Sequence, residues 1–369
     1  MSSTKAQSPA PKSPTTPAPK SPTPGPASST AVVHDPLSGA HWAEQGLPEE
    51  DEEDGDSTVG SDVESSTASI SSSILHYRTI NGRTYHSDSV TDGEYWGPND
   101  EKANEVLDIF HHAMTICLDG RLFDAPLPEN PENALDVGTG TGLWAIDFAD
   151  QFPNCTVTGT DISPIQPSWV PPNVRFEIDD YNKEWTYKSD HFDFIHARWL
   201  TATVKDWYAF YKEAYRCCKP GGYMEHMDAS GTIKSDDGSV TKAHALAQWG
   251  PVWQAAGKKI GCELDLHSTD LMQNAMKEAG FVDIVSKDYK VPLSPWSNDP
   301  KTKELGLFIR AMTTQDLQGS LQFMWGNIMG WTKEEISIYI KHFERELKNP
   351  DLHGYFIYRL VYAQKPLDA

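Results

Sequence analysis

Ala134-Leu135-Asp136-Val137-Gly138-Thr139-Gly140-Thr141-Gly142-Leu143-Trp144 is the most informative stretch of this 369-residue chain. A short apolar strand ends at Val137, and a helix carrying Ile146, Phe148 and Ala149 follows the glycines. Glycines permit a tight turn and let a ligand approach the backbone with no Cβ in the way. The free N–H groups of the helix that follows favour negative charge. A strand, a glycine loop and a helix in this order form the nucleotide site of a doubly wound α/β fold.

Two ligand classes compete for such a loop. A dinucleotide fingerprint, G-x-G-x-x-G/A, needs Gly or Ala where this chain has Leu143. The glycines instead follow G-x-G-x-G, with Asp136 two residues before the first. A carboxylate there disfavours a pyrophosphate and suits a ligand bearing an ammonium and a sulfonium, which describes S-adenosylmethionine. Downstream, Thr156–Thr160 reads as a second strand ending in Asp161, about 20 residues past the loop, where a carboxylate reaches ribose hydroxyls. A third strand, Val174–Ile178, ends at Asp179-Asp180-Tyr181, and Asp180 is the favoured acceptor for an adenine amino group. Phe192–Trp199 is a fourth strand, with its carboxyl end near His196. After a helix built on Trp207, Phe210, Tyr211 and Ala214, Lys219-Pro220-Gly221-Gly222 leads into a fifth strand, Tyr223–Met227. Ligands of doubly wound sheets sit outside the carboxyl ends of strands, so Asp136, Asp161, Asp180, His196 and the Glu225–Asp228 segment are expected in one crevice.

From about Tyr95 to Lys365 the chain resembles the class I S-adenosylmethionine-dependent methyltransferases. The match rests on Leu135–Gly142, the acidic strand end at Asp161, and Lys219-Pro220-Gly221-Gly222. It resembles the fungal LaeA-like methyltransferase family more closely. That pattern is carried by Asn81-Gly82-Arg83-Thr84-Tyr85-His86, Pro98-Asn99-Asp100-Glu101, Gly142-Leu143-Trp144-Ala145-Ile146 and Gly159-Thr160-Asp161-Ile162-Ser163-Pro164-Ile165-Gln166-Pro167. The resemblance implies a Rossmann-like methyltransferase sheet and a cofactor site built from Tyr95, Asp136, Gly138, Thr139, Gly140, Gly142, Asp161, Ile162, Asp179, Asp180, Tyr181 and His196. It also implies two roles. Some members are nuclear regulators of secondary metabolism and development that associate with velvet-type proteins, and others are tailoring enzymes acting on small-molecule acceptors.

The reaction expected is an in-line displacement, in which positioning can supply ~7–11 kcal/mol and a general base a further factor of order 10²–10⁴. His196 is the first candidate base and His226 the second, each on or just past a strand end. Glu225 is a candidate for orienting the methionine moiety or substrate, or for pairing with Arg198. Tyr95, Trp96 and Trp144 are candidates for cation–π contact with the sulfonium, and packing of the first helix is an equal reading for Trp144.

Composition frames this core. Lys and Arg total 31 against 53 Asp and Glu, a net charge of −22, which argues against direct nucleic-acid binding. No apolar run approaches the ~20 residues of a membrane span, and five Cys without a C-x-x-C pair give no disulfide framework or zinc spacing. A soluble chain of the cytoplasm or nucleus is the expectation. Residues 1–75 hold ten of the 26 Pro, sixteen Ser and one aromatic, Trp42, and read as a disordered tail. The tail contains two Ala-Pro-Lys-Ser-Pro-Thr repeats, at 10–15 and 18–23, and an acidic run at 49–54. The methyltransferase domain is then 76–369. Asn99 or Asp100 caps a helix with an apolar stripe from Ala103 to Cys117; His111 and His112 lie on or beside it with no spacing that supports a metal. Helix signals crowd 231–353, including the capping box Thr332-Lys333-Glu334-Glu335, and the closing strands are Val282–Tyr289 and Tyr355–Ala363. This insertion reads as a helical cap that selects the acceptor. Trp249, Trp253, Trp296, Trp325 and Trp331 serve either an aromatic substrate or the packing of the cap.

Overall fold

The strand, glycine loop and helix lie where the sequence puts them. In the computed structural model, which describes Met1 and positions 35–48, 74–87, 89–91 and 95–369, the strand closes at Val137 and the helix opens at Leu143. The Ser/Pro repeats and the acidic run lie outside the described residues.

Helix α1 (Gly39–Gln45) comes first, followed by a hairpin of β1 (Arg78–Ile80) and β2 (Arg83–Tyr85) and then helix α2 (Glu101–Cys117). Alternating strands and helices follow: β3 (Asn133–Val137), α3 (Leu143–Gln151), β4 (Thr156–Asp161), β5 (Val174–Ile178), β6 (Phe192–Arg198), α4 (Trp207–Cys217) and β7 (Cys218–Ala229). The remainder is α5 (Ala245–Ile260), α6 (Leu271–Ala279), β8 (Val282–Pro292), α7 (Pro300–Gln315) and α8 (Leu317–Leu321). A π-helical turn (Gln322–Ile328), α9 (Lys333–Lys348) and β9 (Tyr355–Gln364) complete it.

Seven strands form one sheet in the order β5-β4-β3-β6-β7-β9-β8. The first five are parallel, and β9 runs antiparallel to both of its neighbours. The chain reverses its direction of travel across the sheet between β3 and β6, and the crevice of a doubly wound fold opens at that switch point. Successive side chains alternate between faces. Ala134 and Phe194 accordingly pack with Trp144 and Phe148 of α3, while Leu135, Val137 and Ile195 pack with α4 and α6.

A third core joins α2, α5, α7 and α9 around Phe110, Trp253, Trp325, Tyr339 and Phe343. Within 1–75, read as a disordered tail, the described helix α1 is docked on this core. Trp42 of α1 is 1% exposed, edge-on to Tyr339 at 5.1 Å, and His342 Nε2 donates to the Gly46 carbonyl at 2.9 Å. Leu37 packs on the same core and its N–H donates to Gln248 Oε1 at 3.0 Å, so a few contacts anchor a segment whose composition is otherwise that of a tail. The capping box at Thr332 is present, Asp100 caps α2, and the closing strands run slightly past their expected ends.

Candidate active site

Gly138, Gly140 and Gly142 all take left-handed φ values, 68°, 58° and 84°, a conformation that costs other residues roughly 1–2 kcal/mol each. At Gly142 a Cβ would stand 2.3 Å from the Phe176 ring, so the loop can pack onto β5 only without one. The loop is tied to the neighbouring strand end: Gly140 N–H donates to Asp161 Oδ2 at 2.9 Å and Ser163 N–H to Asp161 Oδ1 at 3.0 Å. Burial raises the Asp161 carboxyl to about 6, against these donors.

A single cavity runs along this loop. Its wall includes Tyr95, Asp136, Gly138, Thr139, Gly140 and Asp161, then Ile162, Tyr181 and His196. Asp136 sits at the centre: its Oδ2 accepts from Thr139 Oγ1 at 2.5 Å and its Oδ1 accepts from His196 Nδ1 at 2.7 Å. Asp136 and His196 are register partners on β3 and β6, so their side chains emerge side by side on the α3 face. The imidazole lies flat on Trp144, with centroids 3.8 Å apart and planes 2° from parallel. Burial outweighs the Asp136 hydrogen bond and lowers His196 to about 4, which leaves a neutral ring at pH 7. With Nδ1–H committed to Asp136, Nε2 carries the lone pair. Two buried polar atoms at the cavity, Asn99 Oδ1 and Trp96 Nε1, make no hydrogen bond among the described residues.

Five expected site residues stand off the cavity wall. His226 is one position off the register of Glu225 and therefore points to the opposite face, where it stacks on Trp207 and meets Tyr211 Oη at 2.7 Å. Glu225 is on the α3 face but one strand beyond the crevice. Its Oε2 accepts the backbone N–H groups of Asp124 and Ala125 at 2.8 and 2.7 Å, and burial raises it to about 8. Asp180 accepts from Thr91 Oγ1 at 2.6 Å and from the Asn182 amide at 3.0 Å, so its carboxylate holds chain segments together. Neither it nor Asp179, raised by burial, borders the cavity; Tyr181 does. Gly142 shapes the helix start and leaves the wall to Leu143.

The sequence reading missed the wall opposite the glycines. Val106, Leu107, Phe110 and His111 of α2 form one side of it, and Arg198, Trp199 and Leu200 form the end beyond β6. The apolar stripe of α2 was visible as a helix face, but nothing in the spacing showed that part of it borders a ligand space. Trp199 (φ 57°) and Ala202 (φ 68°) hold left-handed backbone, and Asp228 Oδ2 fixes the bend by accepting from Leu200 and Thr201 N–H at 2.9 Å each. Backbone held in this way is concentrated at functional sites. None of Trp249, Trp253, Trp296, Trp325 and Trp331 reaches the cavity; Trp253, Trp325 and Trp331 are buried in the core.

The comparisons agree with this geometry. A family model described as a methyltransferase domain matches residues 109–286. Methyltransferase pytC of Aspergillus terreus is 35% identical over 306 residues, covering 83% of this chain and 93% of that protein. The secondary metabolism regulator LAE1 of Cochliobolus heterostrophus is 33% identical, covering 78% and 94%. The protein-methionine methyltransferase laeA of Emericella nidulans is 29% identical, covering 78% and 76%. A seven-stranded sheet with its crevice at a glycine loop, and relatives matched along most of their length, lead to one conclusion: this chain belongs to the fungal LaeA-like methyltransferase family.

Proposed function

We propose that this chain uses S-adenosylmethionine to methylate a small-molecule acceptor in fungal secondary metabolism. The observation that carries the reading is the meeting, in one cavity, of the left-handed glycine turn with the carboxylates of Asp136 and Asp161. When bound, the cofactor supplies a methyl group on a sulfonium that a nucleophile displaces in line.

The chain's own groups fit that ligand. Asp161 lies where ribose hydroxyls would donate, and Asp136 faces an ammonium. Tyr181 and Ile162 would border the base, and the Tyr95 and Trp96 rings line the same cavity, where an aromatic ring can attract a cation. Asn99 Oδ1 and Trp96 Nε1 are a buried acceptor and donor that a polar ligand would satisfy. His196 is the group able to take a proton, because it is neutral and its ring is fixed by Asp136 and Trp144. Asp316 and Ser320, from the α8 segment, border the cavity and support the reading of 231–353 as the cap that selects the acceptor. A second reading, a regulatory role with a protein acceptor or partner, is supported by the similarity to LAE1 and laeA.

The test is transfer from methyl-labelled S-adenosylmethionine in a fungal extract. Label is expected in the organic-soluble fraction. With Gly140→Asp it is expected to fall more than about 100-fold, because the new side chain meets Leu107 at 3.1 Å from its Cβ and sets a third carboxylate beside Asp136 and Asp161. Label confined to protein would favour the regulatory reading, and full transfer by Gly140→Asp would refute the loop assignment.

A further inference from the structure

Charge around the cavity is not balanced in pairs. Asp316 is neutralised by Arg83, whose Nη1 and Nη2 donate to it at 2.7 and 2.8 Å. Arg198, the last residue of β6, borders the same cavity, yet no carboxylate among the described residues forms an ion pair with it. Its contacts are the Phe110 ring, 5.3 Å from Cζ, and His111 Nδ1, which accepts from Nη2 at 2.9 Å. That bond fixes the His111 tautomer, so Nε2–H donates to Asp147 Oδ2 at 2.9 Å. Arg198 is thus held in place by a His–carboxylate arm while most of its five N–H donors remain unspent. Burial lowers its pKa to about 10, still a cation at neutral pH. Buried charges are ordinarily paired, and an unpaired guanidinium facing a cavity calls for an anionic ligand group.

The position of Arg198 indicates which anion. His196 lies beside Asp136 in the sheet, and Arg198 is two residues further along the same strand and on the same face, about 7 Å away. A carboxylate and a guanidinium on the same face of adjacent strands, both bordering one cavity, are the complement of the ammonium and carboxylate of an α-amino acid. We propose that Arg198, oriented by His111, binds the α-carboxylate of the cofactor's amino-acid tail while Asp136 faces its ammonium. This rests on the S-adenosylmethionine reading above. His111 is then a positioning residue, acting through Arg198.

Calorimetric titration of the full chain with S-adenosylmethionine and with its decarboxylated analogue isolates the contact. The wild type is expected to prefer the carboxylate-bearing ligand by about 10–100-fold, the range of charge-assisted hydrogen bonds. Arg198→Ala should abolish that preference by weakening S-adenosylmethionine alone. Arg198→Lys and His111→Ala should reduce the preference in part, with the analogue's affinity unchanged. An Arg198→Ala protein that weakens both ligands equally, or neither, overturns the assignment; the last result would direct Arg198 to the acceptor. Should Arg198→Ala fail to fold, an unreduced preference in Arg198→Lys overturns it instead. A wild type that binds neither ligand refutes the cofactor reading itself, whereas one that binds both equally refutes this inference alone.

Discussion

Asp136 and His196 show what one pair of side chains contributes. A lone buried histidine has two nitrogens to satisfy, and the neighbouring strand answers one of them. The stack on Trp144 removes the ring's remaining freedom. The ring is therefore neutral and directed, which is the state a proton acceptor needs. His196→Ala should lower methyl transfer by about 10²–10⁴-fold with the Kd for S-adenosylhomocysteine nearly unchanged. Because burial sets the ring's pKa at about 4, the wild-type rate should not titrate on this group between pH 5 and 8. Unimpaired transfer by the variant would remove His196 from the chemistry. Asp136 and Asp161 could be read from sequence because the glycine spacing marks the strand ends around them. Glu225 and His226 could not, because which face a β7 side chain takes, and what backbone it meets there, depends on register and on a loop 100 residues away.

Strands and loops are joined by a repeated device in which one carboxylate accepts two consecutive backbone N–H groups. Glu225 does so for residues 124–125, Asp228 for 200–201, Asp193 for 132–133 and Glu346 for 245–246. Glu225 and Asp228 fix loop amides in this way, and Glu346 of α9 holds the first two amides of helix α5; a buried donor left unmet costs about 1–3 kcal/mol. The Asp228 joint positions the cavity wall after β6. Arg83 performs a similar task between elements, with Nη2 donating to Asp100 at 2.6 Å and to Asp316 at 2.8 Å, so the β1–β2 hairpin, α2 and α8 share one cation.

Glu225 gives this device a pH signature. Burial raises it from 4.5 to about 8, so the folded chain holds a proton that the unfolded chain releases. Its contribution is fully present below about pH 4.5 and is lost as pH climbs toward 8. Glu225→Gln, neutral at every pH, should gain on the wild type in urea unfolding as pH rises from 5 to 8, by roughly 3 kcal/mol. A difference that stays constant over that range would mean that the group is ionised throughout. No sequence pattern marks these joints, since an acid on a strand reads the same whether it meets solvent, a loop amide or a ligand.

The molecule as a whole was readable where local period and turn chemistry govern. The strand–helix alternation from β3 to β7, the caps at Asp100 and Thr332, and the two closing strands all follow from short-range pattern. The β1–β2 hairpin has a local signal in Asn81-Gly82, both at positive φ, whereas the π-helical turn and α1 depend on long-range packing, with Trp42 reaching a core some 300 residues further along. The aromatic wealth of 231–353 illustrates the same limit of local reading. Tryptophan favours an acceptor pocket and a packed helical layer alike, and here Trp253, Trp325 and Trp331 went into the layer. The net charge of −22 stands with the two cavity carboxylates and the Leu143 departure in favouring a cationic ligand over a pyrophosphate.

The choice between those ligands is the central claim, and isothermal titration of the full chain tests it most directly. Binding of S-adenosylhomocysteine in the micromolar range with no measurable heat from NADH is the predicted result. Heat with NADH and none with S-adenosylhomocysteine would contradict it.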